Sequence, residues 1–207
     1  MKLNLFIIGP SGCGKSTQGR MLSEKYNLIH ISMGQLLRDE IAINTRLGQM
    51  AKPYIDKGTW VPNKVAINIL TKKLDQINNF NFVVDGFPRV LEQGIIIQKY
   101  LESKDQKISA LFHIDIDPEE IIKRRQLKKK VGQTFSDHGR TDETEEAIAQ
   151  RFKSYQATIE PILDYFNQEK LLITIDGNQP TELIFNDICQ NIKETVKSPL
   201  LINQLNN

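Results

Sequence analysis

Residues 9–16 read Gly-Pro-Ser-Gly-Cys-Gly-Lys-Ser, which fits the spacing G-x-x-x-x-G-K-[ST]. An apolar run at 3–8 leads into the motif, and a helical pattern over 15–26 opens directly after it. That context constrains the chain more than any other feature. Glycine is needed because backbone N–H groups must turn inward around phosphate oxygens, where a Cβ would obstruct the approach. The start of the following helix adds partial positive charge. The motif therefore implies a phosphate site cradled by the backbone of Ser11, Gly12, Cys13 and Gly14. Lys15 would reach the β- and γ-phosphates of a nucleotide, with Ser16 or Thr17 near a magnesium ion.

Five apolar runs read as strands, at 3–9, 28–32, 82–85, 110–116 and 171–176. Helical patterns separate them, at 15–26, 36–43, 47–57, 63–77, 90–102, 118–130, 143–168 and 181–196. Strands alternating with helices over this length imply an α/β domain, a five-stranded parallel sheet with helices on both faces. Phe82, Val83 and Val84 form a continuous apolar run rather than an alternation, as burial on both faces requires. Asp85 ends that strand, where a phosphate-loop protein places its magnesium partner. Two stretches break the rhythm. Three helical patterns follow one another between the second and third strands, and 128–142 carries Gly132, Ser136 and Gly139 without apolar periodicity. A structureless stretch inside a compact domain is usually a functional loop.

Composition narrows the function class. The chain has 207 residues, 40% apolar and 25% charged, which excludes a disordered protein. Twenty-seven basic residues against 25 acidic give +2, too balanced for a wholesale nucleic-acid binder. No apolar run approaches the roughly 18 residues of a membrane span, and the N-terminus enters a strand without a signal-peptide pattern. Cys13 and Cys189 are too few for a disulfide framework or a four-cysteine zinc site, which suggests the cytoplasm. His30, His113 and His138 are isolated in sequence and suggest no metal site. The basic run 123–130 reads as a solvated helix face.

Asp85-Gly86-Phe87-Pro88-Arg89 followed by Gln93 resembles the D-G-[FY]-P-R…Q motif of adenylate kinases and related nucleoside monophosphate kinases. Residues 9–18 are similar to that family's phosphate loop G-x-P-G-x-G-K-G-T-Q, with Ser16 in place of a glycine and Pro10 one place early. Residues 31–38, Ile-Ser-Met-Gly-Gln-Leu-Leu-Arg, resemble I-S-T-G-D-x-L-R. Gly58-Thr-Trp-Val61-Pro62 resembles G-x-x-V-P, the run from Gly139 to Glu143 with Arg151 resembles G-R-x-D-D…R, and Asp176-Gly177 with Pro180 matches a closing D-G-x-x-P. The matches keep their order along nearly the whole chain.

The resemblance implies a P-loop NTPase fold and a role for each matched position. Arg38 and Arg89 would grip the acceptor phosphate, and Gln93 would bond the acceptor base. Met33, Thr59, Trp60, Val61 and Gly86 would line the acceptor pocket. Arg125, Lys129 and Gln179 would meet ATP, and Arg125 with Arg140 and Arg151 would surround the transferring group. The catalytic set is then Lys15, Arg89, Arg125, Arg140 and Arg151, with Ser16 and Asp85 on magnesium, in part through water. The implied organisation is a core of 1–32, 79–127 and 142–207, an acceptor-binding insertion at 33–78 and a lid at 128–141. Arg125 and Arg140 stand 15 positions apart, a short lid without the insert that carries zinc. Met33 replaces a threonine, Gln35 an acidic residue, Lys129 an arginine and Glu143 an aspartate. The implied activity is magnesium-dependent phosphoryl transfer from ATP to AMP by a cytoplasmic monomer with no nucleic-acid or membrane partner. The competing readings are the same chemistry on UMP or CMP, a nucleotide-binding switch, and a non-catalytic relic.

Overall fold

A computed structural model describes residues 2–77, 80–130 and 145–197. The stretch carrying Gly132, Ser136, His138, Gly139, Arg140, Asp142 and Glu143 lies outside the described residues, as does the side chain of Lys129. The expected lid is therefore not described beyond the end of its leading helix.

Five strands, β1 (Asn4–Ile8), β2 (Ile29–Ser32), β3 (Phe82–Asp85), β4 (Ala110–Asp115) and β5 (Leu172–Asp176), form one sheet in the order β2-β3-β1-β4-β5. Every pairing is parallel. All five residues of β1 are buried, as a central strand covered on both faces must be. Its side chains divide between two cores. Phe6 and Ile8 join Val84, Leu70, Ile97 and Phe166 on one face, whereas Leu5 and Ile7 join Leu22, Phe112, Ile184 and Ile188 on the other. Burying each such side chain contributes about 1.5–3 kcal/mol.

The first face is covered by α4 (Asn63–Asp75), α5 (Leu91–Glu102) and α8 (Ile159–Gln168), and the second by α1 (Lys15–Tyr26) and α9 (Thr181–Lys197). α2 (Met33–Ala42) and α3 (Arg46–Asp56) precede α4, so the three-helix insertion stands between β2 and β3. α2 begins at Met33 rather than 36, directly after the strand. Thr45 caps α3, its side chain accepting from the Gly48 N–H at 2.9 Å. α6 (Pro118–Lys130) follows β4.

The helix expected over 143–168 is two helices, α7 (Glu145–Gln156) and α8, parted at Ala157 and Thr158. Pro161 accounts for the break. In one continuous helix its missing N–H and its ring would fall against the carbonyl of Ala157, whereas in the first turn of α8 it is tolerated.

β1 lies between β3, reached through the insertion, and β4. The chain crosses to opposite sides of β1, and the crevice beyond the carboxyl ends of such strands is where an α/β sheet binds ligands.

Candidate active site

The loop after β1 turns through Gly12 at φ 95° and Gly14 at φ 102°, left-handed conformations that strain any residue with a Cβ. Gly9 is required by closeness as well. A Cβ there would stand 2.7 Å from Ile114 O and 2.8 Å from Cys13 Sγ. Cys13 is fully buried beneath the loop and is not among the residues facing the cleft, and its Sγ accepts from Lys15 Nζ at 3.5 Å. Lys15 turns back over the loop, its Nζ donating to Gly9 O at 2.9 Å and Pro10 O at 2.7 Å. Burial, reinforced by Arg89, pulls the Lys15 ammonium below its ordinary pKa, against the opposing pull of Cys13 and Asp85.

Parallel register sets Asp85 beside Ile7 on one side and Ser32 on the other, at the mouth of the phosphate loop. Its Oδ1 accepts from Ser16 Oγ at 3.1 Å and Ser32 Oγ at 3.4 Å, and its Oδ2 lies 2.6 Å from His30 Nε2. Burial would raise the Asp85 pKa, but His30, Lys15 and Ser16 together outweigh it and hold the group below the carboxylate range. His30 is thus not isolated in space. It fits because residue 19 is glycine, where a Cβ would stand 2.5 Å from its Nε2.

The turn after β3 presents the second half of the site. Gly86 adopts φ 78°, and a Cβ there would meet Arg89 Nη2 at 2.8 Å. Arg89 Nε donates to Gly86 O at 2.6 Å, and its guanidinium lies over the Trp60 ring. Gln93, 1% exposed, accepts the Arg89 backbone N–H at 2.8 Å and donates to Asn63 Oδ1 at 3.0 Å. Arg38 on α2 donates to Gln35 Oε1 at 2.7 Å. Met33 belongs to the core cluster with Leu37, Val61 and Ala66, so its side chain is apolar packing at the cleft edge.

One cavity of about 640 Å3 joins these halves. Ser11, Gly12, Gly14, Lys15, Ser16 and Thr17 line one end. Met33, Arg38, Thr59, Trp60, Val61, Gly86, Arg89 and Gln93 line the other. Asp85, Arg151 and Gln179 border it too. Arg125 is not among the lining residues. Its neighbour Arg124 is, with Nη2 donating to Gly177 O at 2.7 Å and Gln179 O at 2.9 Å. Arg124, His30 and Asn63 are the contributors that sequence reasoning missed. His30 and Asp85 are 55 residues apart, and only the pairing of β2 with β3 makes them neighbours. Among the described residues no group of three or more His, Cys, Asp or Glu could hold a metal, and no helix is long and apolar enough to cross a membrane.

A phosphate loop at one end of a cavity whose other end carries Arg38 and Arg89 defines the class: a P-loop phosphotransferase. The adenylate kinase family model matches residues 7–171. An adenylate kinase of Archaeoglobus fulgidus is 33% identical over 218 residues, spanning 95% of this chain and 100% of the relative. One of Bacteroides thetaiotaomicron is 36% identical over 191 residues, spanning 92% of this chain and 98% of the relative. One of Prochlorococcus marinus is 35% identical over 192 residues, spanning 93% and 100% respectively. The chain belongs to the adenylate kinase family.

Proposed function

We infer that this chain transfers the γ-phosphoryl group of ATP to AMP, giving two ADP. The observation that carries the reading is the continuity of the cleft, which has Lys15, Ser16 and Thr17 at one end and Arg38, Arg89 and Gln93 at the other. Two anions can therefore meet in line, and phosphoryl transfer asks little of a protein beyond such positioning and neutralisation of charge.

The roles follow from chemistry at each place. The loop amides and Lys15 hold the donor phosphates, Lys15 exchanging its carbonyl partners for phosphate oxygens. Arg38 and Arg89 hold the acceptor phosphate, and Gln93 meets the acceptor base. Arg151, which borders the cleft, adds positive charge around the transferring group. Arg140 and Arg125 join it on the strength of the resemblance alone, Arg125 from outside the cleft lining, and Lys129 and Gln179 attend the donor. Arg124 takes a share of the donor side, because it borders the cleft. The ionised Asp85 carboxylate and the Ser16 hydroxyl are hard oxygen donors suited to magnesium. Bound with ATP, that ion supplies neutralisation of phosphate charge. The insertion 33–78 acts as the acceptor-binding unit and 128–141 as the lid that excludes water, a competing acceptor. The chain acts as a cytoplasmic monomer on free nucleotides, with neither nucleic acid nor membrane as partner.

The test is ADP formation from ATP and AMP by the wild-type chain and by Lys15→Met. Loss of one preorganised charge should reduce turnover by at least about 100-fold with the fold intact. Retention of more than about a tenth of turnover would sink the phosphate-loop assignment.

A further inference from the structure

Gln93 is held in a chain of hydrogen bonds whose direction is fixed at both ends. The Arg89 backbone N–H can only donate, and it donates to Gln93 Oε1 at 2.8 Å. Gln93 Nε2 donates to Asn63 Oδ1 at 3.0 Å, and Asn63 Nδ2 donates to Glu92 Oε2. An ionised carboxylate can only accept. Turning the Gln93 amide over would set its NH2 group against the Arg89 N–H and its oxygen against Asn63. Asn63 would then have to turn as well, bringing its own oxygen to the Glu92 carboxylate. The buried Arg89 end forbids the reversed order and the exposed Glu92 end disfavours it, while Gln93, 1% exposed, is largely shielded from water that would soften the cost.

An amide has capacity beyond these two bonds: one further N–H and one further lone pair. We propose that Asn63 and Glu92 are positioning residues that set base specificity by fixing the polarity of the Gln93 amide, so that the cleft takes a 6-aminopurine monophosphate and rejects a 6-oxopurine one. The proposal rests on the reading that Gln93 meets the acceptor base. An adenine edge offers a donor at N6 and an acceptor at N1, which the remaining lone pair and N–H of Gln93 complement. A hypoxanthine edge offers an acceptor at O6 and a donor at N1–H, the same pair reversed. With the amide fixed, that base meets donor against donor and acceptor against acceptor. Once Asn63 no longer accepts, the reversed amide has one opposing contact rather than two, and discrimination weakens.

The experiment compares kcat/KM for AMP and IMP at fixed ATP in the wild-type chain, Asn63→Leu, Gln93→Leu, and the double variant Asn63→Asp with Glu92→Gln. A ratio of two substrates on one preparation does not depend on the fraction folded. Wild type should favour AMP by at least about tenfold. Asn63→Leu should lower the AMP/IMP ratio about fivefold with KM for ATP unchanged. The double variant keeps an acceptor facing Gln93 Nε2 and should retain the wild-type ratio. A wild-type ratio in Asn63→Leu, alongside a lost preference in Gln93→Leu, would overturn the relay and leave Gln93 as the base reader. A wild-type ratio in Gln93→Leu would overturn the base reading and the relay with it.

Discussion

The guanidinium carbon of Arg89 lies 4.7 Å from the centroid of the Trp60 ring. The same side chain is tied to Gly86 O through Nε at 2.6 Å, so the protein itself fixes its orientation. Trp60 is the chain's single tryptophan, and its emission reports directly on this contact. A cation–π contact of this kind contributes about 1 kcal/mol. Trp60→Leu should therefore raise KM for AMP about fivefold and leave KM for ATP unchanged. Titration of wild type with AMP should change the tryptophan fluorescence and saturate. Emission that stays flat through saturation would separate Trp60 from the acceptor site.

His30 makes Asp85 a pH-dependent element. The Asp85 pKa is depressed, so its charged form is favoured in the fold. The contribution is present above the ordinary carboxylate range and is lost as pH falls through the depressed value. His30→Leu removes the strongest influence opposing burial. The acid limb of the kcat profile should then begin at higher pH than in wild type. Gly19→Ala should act in the same direction, because its Cβ would stand 2.5 Å from His30 Nε2. Superimposable acid limbs in all three proteins would contradict the coupling.

The sheet, its five strands and the phosphate loop were legible because each rests on local pattern. Continuous apolar runs specify buried strands, and the glycines at 12 and 14 are needed by backbone conformation alone. Most of the acceptor half was legible only through resemblance. Nothing local in Trp60, Met33 or Gln93 states what it faces. What escaped was pairing across the fold. Asn63 and Gln93 lie 30 residues apart on different helices, and His113 meets Tyr155 across 42. Arg124 and Arg125 are adjacent and chemically identical, so only the rotation of α6 decides which one borders the cleft.

His113 gives a stability prediction. It is buried within β4, with Nε2 2.8 Å from Tyr155 Oη. Burial, helped by Lys15 and opposed by Asp115, lowers its pKa from the ordinary 6.5. The unfolded chain therefore takes up a proton that the folded chain refuses. The associated stability is complete above about pH 6.5 and is lost progressively as pH falls below it. Denaturant midpoints measured from pH 7.5 down to 5.0 should fall more steeply for wild type than for His113→Phe. Parallel slopes would show that His113 does not titrate between the two states.

Acceptor choice tests the account at its centre, because the phosphate loop alone would serve any nucleoside monophosphate kinase. The deciding measurement is kcat/KM for AMP, UMP, CMP and dTMP at fixed ATP and magnesium. Gln93, with its amide polarity set by Arg89 and Asn63, complements an adenine edge, and a mismatched base leaves that buried amide unpaired. AMP should lead every other acceptor by at least about tenfold. A pyrimidine nucleotide in first place would contradict the account.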